Sequence, residues 1–190
     1  MKFECPTRYK KLYEDTLEKL DATEQSRQAC EHQFGLHMQT CVQERIFDKS
    51  HWTEPMVVDG GFMTTALENG LKYFDADNVW NIPLDGKYWL ASDEEIIEYI
   101  LYSMVNRLLY ILHRFDCNAF AWVFRGDYKR DTLSGNCLWV CDWSGGHSYD
   151  LFVRRNGGLW WYEAQQSRWW TTEEHKYEGM YAMERAVILG

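Results

Sequence analysis

The chain has 190 residues, a formal net charge of −9 and a sequence pI near 5.1, and this balance disfavours a nucleic-acid binder that works by phosphate neutralisation. Its length holds one well-filled core plus an appendage, and 16% aromatic residues with ten Trp exclude a disordered chain, because large rings bury enough area to offset ordering entropy. Lys and Arg are scattered rather than blocked, so neither nucleic acid nor a membrane is expected as a partner.

Six cysteines, Cys5, Cys30, Cys41, Cys117, Cys137 and Cys141, make an even count. Their irregular spacing, and the lack of an apolar signal core after Met1, point away from a disulfide framework and toward reduced thiols in a cytoplasmic protein. The longest apolar tract, Ile96 to Leu112, carries Glu98, Asn106 and Arg107, and is too short and interrupted to span a membrane.

In chain order, Tyr9 to about Phe47 reads as helix, giving a helical extension over residues 1–50 that is open to self-association through its helices. Residues 51–190 read as an α+β domain. Between Ser50 and Leu90, Pro and Gly punctuate short apolar pieces, so loops and one short helix near Thr64 to Lys72 are expected; Asp75, Asp77 and Asn78 read as a solvated turn rather than a cation loop. Ser92-Asp93-Glu94-Glu95 is a capping box. It starts a helix whose core face is Ile97, Leu101, Met104, Val105, Leu108 and Leu112 and which ends near His113. Asp116 caps the next helix, whose face is Phe120, Ala121 and Phe124 and whose natural stop is Gly126. The period then changes to two, with strands at Cys137 to Asp142, His147 to Val153 and Leu159 to Gln165, the last two joined by Arg154-Arg155-Asn156-Gly157-Gly158. Helices first and antiparallel strands afterwards define the α+β class.

The residue of greatest chemical interest is Cys117, directly after the capping Asp116. The partial positive charge at a helix start favours a thiolate, so a cysteine there is predisposed to reactivity; the bland alternative is a small core hydrophobe. A nucleophilic cysteine needs a base and a group to orient that base, and His147 and Glu163 on successive strands are the candidates, with Gln165 a second residue able to fix the imidazole. The hairpin register decides whether they meet. A two-residue Asn156-Gly157 turn puts His147 and Glu163 on opposite faces; a three-residue loop of Arg155, Asn156 and a left-handed Gly157 puts them diagonally on one face. Trp139, Trp143, Trp160, Trp161, Trp169 and Trp170 form a stacking platform for sugar or peptide on one reading, and core and hairpin packing on the other. Cys137 and Cys141 on one strand lie more than about 10 Å apart with no second pair nearby, so no metal site is expected of them.

Phe115-Asp116-Cys117-Asn118-Ala119-Phe120-Ala121, Gly146-His147-Ser148-Tyr149 and Trp161-Tyr162-Glu163-Ala164-Gln165 together resemble the papain-like protease domain of fungal chimerolectins and its bacterial and phage relatives, over roughly Lys87 to Gln166. The resemblance implies a papain-like or transglutaminase-like core, a central Cys-bearing helix on an antiparallel sheet. It implies Cys117 as nucleophile, His147 as base and Glu163 as orienting acid, supported by Gln165. Asp116 and Asn118 then serve the helix cap and the oxyanion, and Trp143 and Trp161 line the substrate site. Calcium is implied by the resemblance only, and Asn118 stands where many relatives carry aspartate. The expected function is therefore a cysteine hydrolase acting on an amide or peptide bond of a protein or peptide substrate. The alternatives are a catalytically silent domain that binds sugar or peptide on a Trp-rich face, and a peptidoglycan amidase or endopeptidase.

Overall fold

The structure, a computed structural model, describes residues 47–74, 78–108, 110–111 and 116–190. The expected N-terminal helix, the turn at Asp75 and Asp77, and the expected helix end near His113 lie outside them. Among the described residues the chain is α+β: strand β1 (Met56–Asp59), helix α1 (Gly60–Gly70), β2 (Val79–Ile82), β3 (Lys87–Leu90), α2 (Asp93–Tyr102), α3 (Cys117–Thr132), then β4 (Cys137–Asp142), β5 (His147–Val153), β6 (Leu159–Glu163), β7 (Arg168–Thr171) and β8 (Ala186–Leu189). The six-stranded sheet runs in the order β2-β8-β4-β5-β6-β7, with β2 parallel to β8 and the other pairs antiparallel, while β1 and β3 form a separate antiparallel ribbon. None of the described helices is long and apolar enough to cross a membrane.

Strand alternation assigns the two faces of the sheet. Cys137, Phe152, Trp160 and Tyr162 point to the layer of α2 and α3, where they meet Ile96, Tyr99, Phe120, Phe124 and Tyr128. Leu138, Val140, Tyr149, Leu151, Leu159, Trp161 and Ile188 point to the other side, where Met63, Ala66 and Leu67 of α1 close the second core. Strand β6 is buried at every residue, because it has a strand on each side and a layer on each face.

The capping box of α2 forms as expected: Ser92 N–H donates to Glu95 Oε2 at 2.6 Å and Glu95 N–H donates to Ser92 Oγ at 3.3 Å. The helix stops at Tyr102, where Ser103 turns extended at ψ 136°, and its core face is Glu95, Ile96, Tyr99 and Ile100. Leu101, expected in the core, is 78% exposed. The face is set by Tyr99, whose ring packs edge-on against Phe124 and Tyr128 and whose hydroxyl donates to Asp131 at 2.9 Å. Helix α3 runs past its expected stop at Gly126 to Thr132. A glycine inside a helix costs about 1 kcal/mol, and burial of Phe124, Tyr128 and Thr132 along one face outweighs it. The helix ends instead at Leu133, in the left-handed conformation at φ 61°.

Of the two registers open to the β5–β6 hairpin, the three-residue loop is adopted. Val153 pairs with Leu159 and Leu151 with Trp161, Arg154 N–H donates to the Gly158 carbonyl at 2.9 Å, and Gly157 takes φ +80°.

Candidate functional site

The hairpin register and the cap of α3 build the site. In the adopted register His147 at the start of β5 lies diagonally from Glu163 at the end of β6, on one face of the sheet, and His147 Nε2 sits 2.5 Å from Glu163 Oε2. Glu163 is fully buried, and its two oxygens are satisfied by three donors: the imidazole, the Tyr181 hydroxyl on Oε2 at 3.1 Å, and the backbone N–H of Gln165 on Oε1 at 3.1 Å. A carboxylate facing Nε2 places the ring proton there and leaves Nδ1 as the acceptor of the neutral imidazole. The Tyr181 ring packs edge-on against His147 at 5.4 Å, so one side chain both donates to the acid and holds the imidazole plane.

Cys117 is half-buried at the first turn of α3, where Asp116 Oδ1 accepts the Asn118 N–H at 3.2 Å. Burial pushes the Cys117 thiol above its ordinary value and nearby Asp116 adds to the rise, while backbone N–H groups of Ser148 and Asn118 oppose it. Desolvation thus outweighs the helix-start effect, and the thiolate expected at a helix N-terminus is disfavoured at rest. The Ser148 hydroxyl donates to the Asn118 side-chain oxygen, which ties α3 to the start of β5. Asn118 therefore joins two elements as well as lying in the cap. Gln165 supports the pair through its backbone N–H on the carboxylate.

The two tryptophans expected to touch a ligand separate. Trp143, in the turn after β4, is 49% exposed, whereas Trp161 is 0% exposed and stacks on His175 at 3.8 Å and 6°. Trp161 has no face left for a ligand, since β6 is covered on both sides; it is a core residue. Trp160 and Trp170 are buried as well, and Trp139 stacks on Trp122 of α3 at 5.0 Å. The exposed partner of Trp143 is one the sequence reading passed over: Trp80 of β2 is 47% exposed and meets Trp143 edge-on at 5.9 Å and 80°. The Arg185 guanidinium lies 5.8 Å from the Trp143 ring. Pairing of β2 with β8, and of β8 with β4, brings these rings together across a long stretch of sequence. Among the described residues, no group of three or more His, Cys, Asp or Glu side chains is arranged to hold a metal ion.

Fold and site define an α+β domain with a buried His–Glu pair, a half-buried thiol and an exposed indole pair. No family model and no curated protein matches the chain. Among solved structures, PSL1a in its complex with E-64 matches with a TM-score of 0.52 and 20% identity, over 70% of this chain and 51% of that one. The Polyporus squamosus lectin bound to a human-type influenza-binding epitope matches with a TM-score of 0.49 and 20% identity, over 70% of this chain and 49% of that one. The chain thus spans about half the length of each, and at this identity the likeness concerns the fold alone. The expected membership of the papain-like cysteine proteases, and with it the description as a thiol protease or hydrolase of bacterial or phage type, is corrected by these comparisons: no family model and no curated protein matches, and the likeness to PSL1a concerns the fold alone.

Proposed function

We propose that this chain is a binding module that takes a sugar ring on the exposed Trp80–Trp143 pair. The observation that supports it most directly is the pair itself: two indoles, each about half exposed, held at right angles beside a guanidinium. Large rings left in water at one place mark a ligand or partner surface. An indole offers a flat apolar face to the C–H side of a pyranose and an N–H donor at its edge, and Arg185 supplies further donors for hydroxyl groups. The test is tryptophan emission of the full chain during titration with a panel of neutral mono- and disaccharides. Saturable quenching that weakens about tenfold or more in Trp143→Ala is the expected result, and a panel without any saturable response sinks the proposal.

One observation favours a second reading. The 2.5 Å contact between His147 and Glu163 leaves an imidazole nitrogen able to accept a proton, and the Ser148–Asn118 hydrogen bond ties the first turn of α3, which carries the half-buried Cys117, to the start of β5. On this reading Cys117 reacts with a carbonyl ligand, His147 takes its proton, Glu163 and Gln165 hold the imidazole, and the N–H groups at the start of α3 face the developing charge. Alkylation by iodoacetamide followed by mass spectrometry separates the cases. Selective labelling of Cys117 that disappears in His147→Ala supports the reactive thiol, and labelling no faster than at the other cysteines removes it.

A further inference from the structure

We propose that the half of the six-stranded sheet left bare beside α3 is a docking face for a second copy of this chain, which packs against it about a two-fold axis. Strand register builds the face. Ile82 of β2, Leu189 of β8 and Trp139 of β4 lie directly opposite one another in one row, and Trp80, Val187 and Cys141 form the next. Residues directly opposite one another share a face. It is the face that carries Cys137, two residues before Trp139, into the core under α2 and α3, yet that core takes in no residue of β2 or β8. On their other side the same strands are sealed, with Val79, Ala186, Ile188 and Val140 all in the second core.

The first row runs into exposed apolar surface at both ends. Ile82 is 46% exposed, Leu84 beyond it 57%, and Trp122, which stacks on Trp139 from α3, 43%. A half-exposed indole leaves about 100 Å² in water, and with the aliphatic side chains of both rows the patch reaches about 500 Å², near the upper end for a single chain. A stable pair buries about 800 Å² on each partner, rather more than half of it apolar. One such patch therefore supplies the apolar part of a full interface.

Charge and strand geometry choose a copy of the chain as the occupant. The chain carries 29 acids and a net charge of −9, and a two-fold contact sets like charges against each other, so a patch that meets its own copy tolerates no acid near its centre. Neither row holds an acid or a base. A basic partner drawn to this acidic chain would find no carboxylate in the rows to pair with. The edge of β2 is closed to strand addition: the isolated bridge from Phe74 to Val79 covers its start, and Pro83 follows its last residue. The face is what remains, and two sheet faces pack at about 10 Å with their strands about 30° apart. A contact centred on the Ile82 row stands without the sugar reading, because Trp143 lies past the end of β4 and outside both rows.

Sedimentation velocity of the full chain, over a concentration series at low and high salt, is the experiment. A dimer is expected, and it should tighten at high salt, because screening relieves the repulsion between two acidic chains. Ile82→Glu, at an exposed position of an edge strand, sets two carboxylates near the axis and should weaken association by about a hundredfold or more. Leu84→Glu, outside any strand, takes over the decision if Ile82→Glu loses its native circular dichroism. Leu101→Glu, at a side chain 78% exposed on α2, should leave the dimer unchanged. A chain that stays monomeric up to about 100 µM, above the micromolar limit for interfaces of this size, overturns the proposal and leaves the face to another occupant. Association that weakens with salt, persists undiminished in the folded Glu variants, or is lost equally in Leu101→Glu overturns it as well.

Discussion

Trp143 and Trp161 are the same residue in neighbouring parts of one sheet, and they do opposite things. Trp161 lies in a strand with neighbours on both edges and layers on both faces, sealed between the sheet and the His175 ring. Trp143 lies just past the end of β4, and its ring contacts are another exposed indole and a guanidinium. Sheet position, not residue type, decides which ring serves the core and which stays free for a ligand. The sharpest way to break this contrast is Trp161→Ala. Deleting a fully buried indole removes both transfer energy and packing, and about 3–5 kcal/mol of stability should be lost. Chemical denaturation at neutral pH measures it, and a loss no larger than that of Trp143→Ala would erase the distinction.

His175 sharpens the same contrast, because the ring sealing Trp161 is titratable. Burial holds His175 down to about 4, with the Tyr181 carbonyl and Asp142 pulling only partly the other way. An unfolded histidine takes up its proton near 6.5. Above that value both states are neutral and the ring has no effect on pH dependence. As pH falls from about 6.5 toward about 4, the unfolded chain binds the proton first, so stability falls, by about 3 kcal/mol in all. Denaturation midpoints at pH 7 and pH 4.5 in the native chain and in His175→Phe read it out, and the variant should lose this part of the acid sensitivity. Equal sensitivity in both would show that acid acts elsewhere.

Strands β4 and β5 were legible to the residue, whereas the hairpin between β5 and β6 had two registers open to it, and only the three-residue loop that is adopted brings His147 to Glu163. The capping box gave the start of α2, since Ser92 and Glu95 satisfy each other locally. The ends of the helices were not legible. Continuation of α3 beyond Gly126 depends on Tyr128 and Thr132 finding the sheet, and the rotation of α2 depends on Tyr99 finding Phe124. The same holds for much of the candidate site. Trp80 reaches Trp143 only through β8, and Tyr181 reaches Glu163 from the end of the chain. Motifs such as Gly146-His147-Ser148-Tyr149 dictate a strand start and a face. Those constraints left the His–Glu contact to the hairpin register, and they are too local to carry a family, which is where the resemblance to a protease failed.

The smallest expected effect on stability completes the comparison. Trp143→Ala removes a ring that is half in water and touches its neighbours only edge-on, so the area it withholds from solvent is modest. Surface substitutions of this kind change stability by about 0.5 kcal/mol or less. The denaturation curve should therefore nearly superimpose on that of the native chain while the response to sugars is lost. A mutant that kept its ligand would place the sugar elsewhere. One that unfolded with a loss approaching that of Trp161→Ala would mean that the Trp80–Trp143 contact is part of the core, with its exposure incidental to binding.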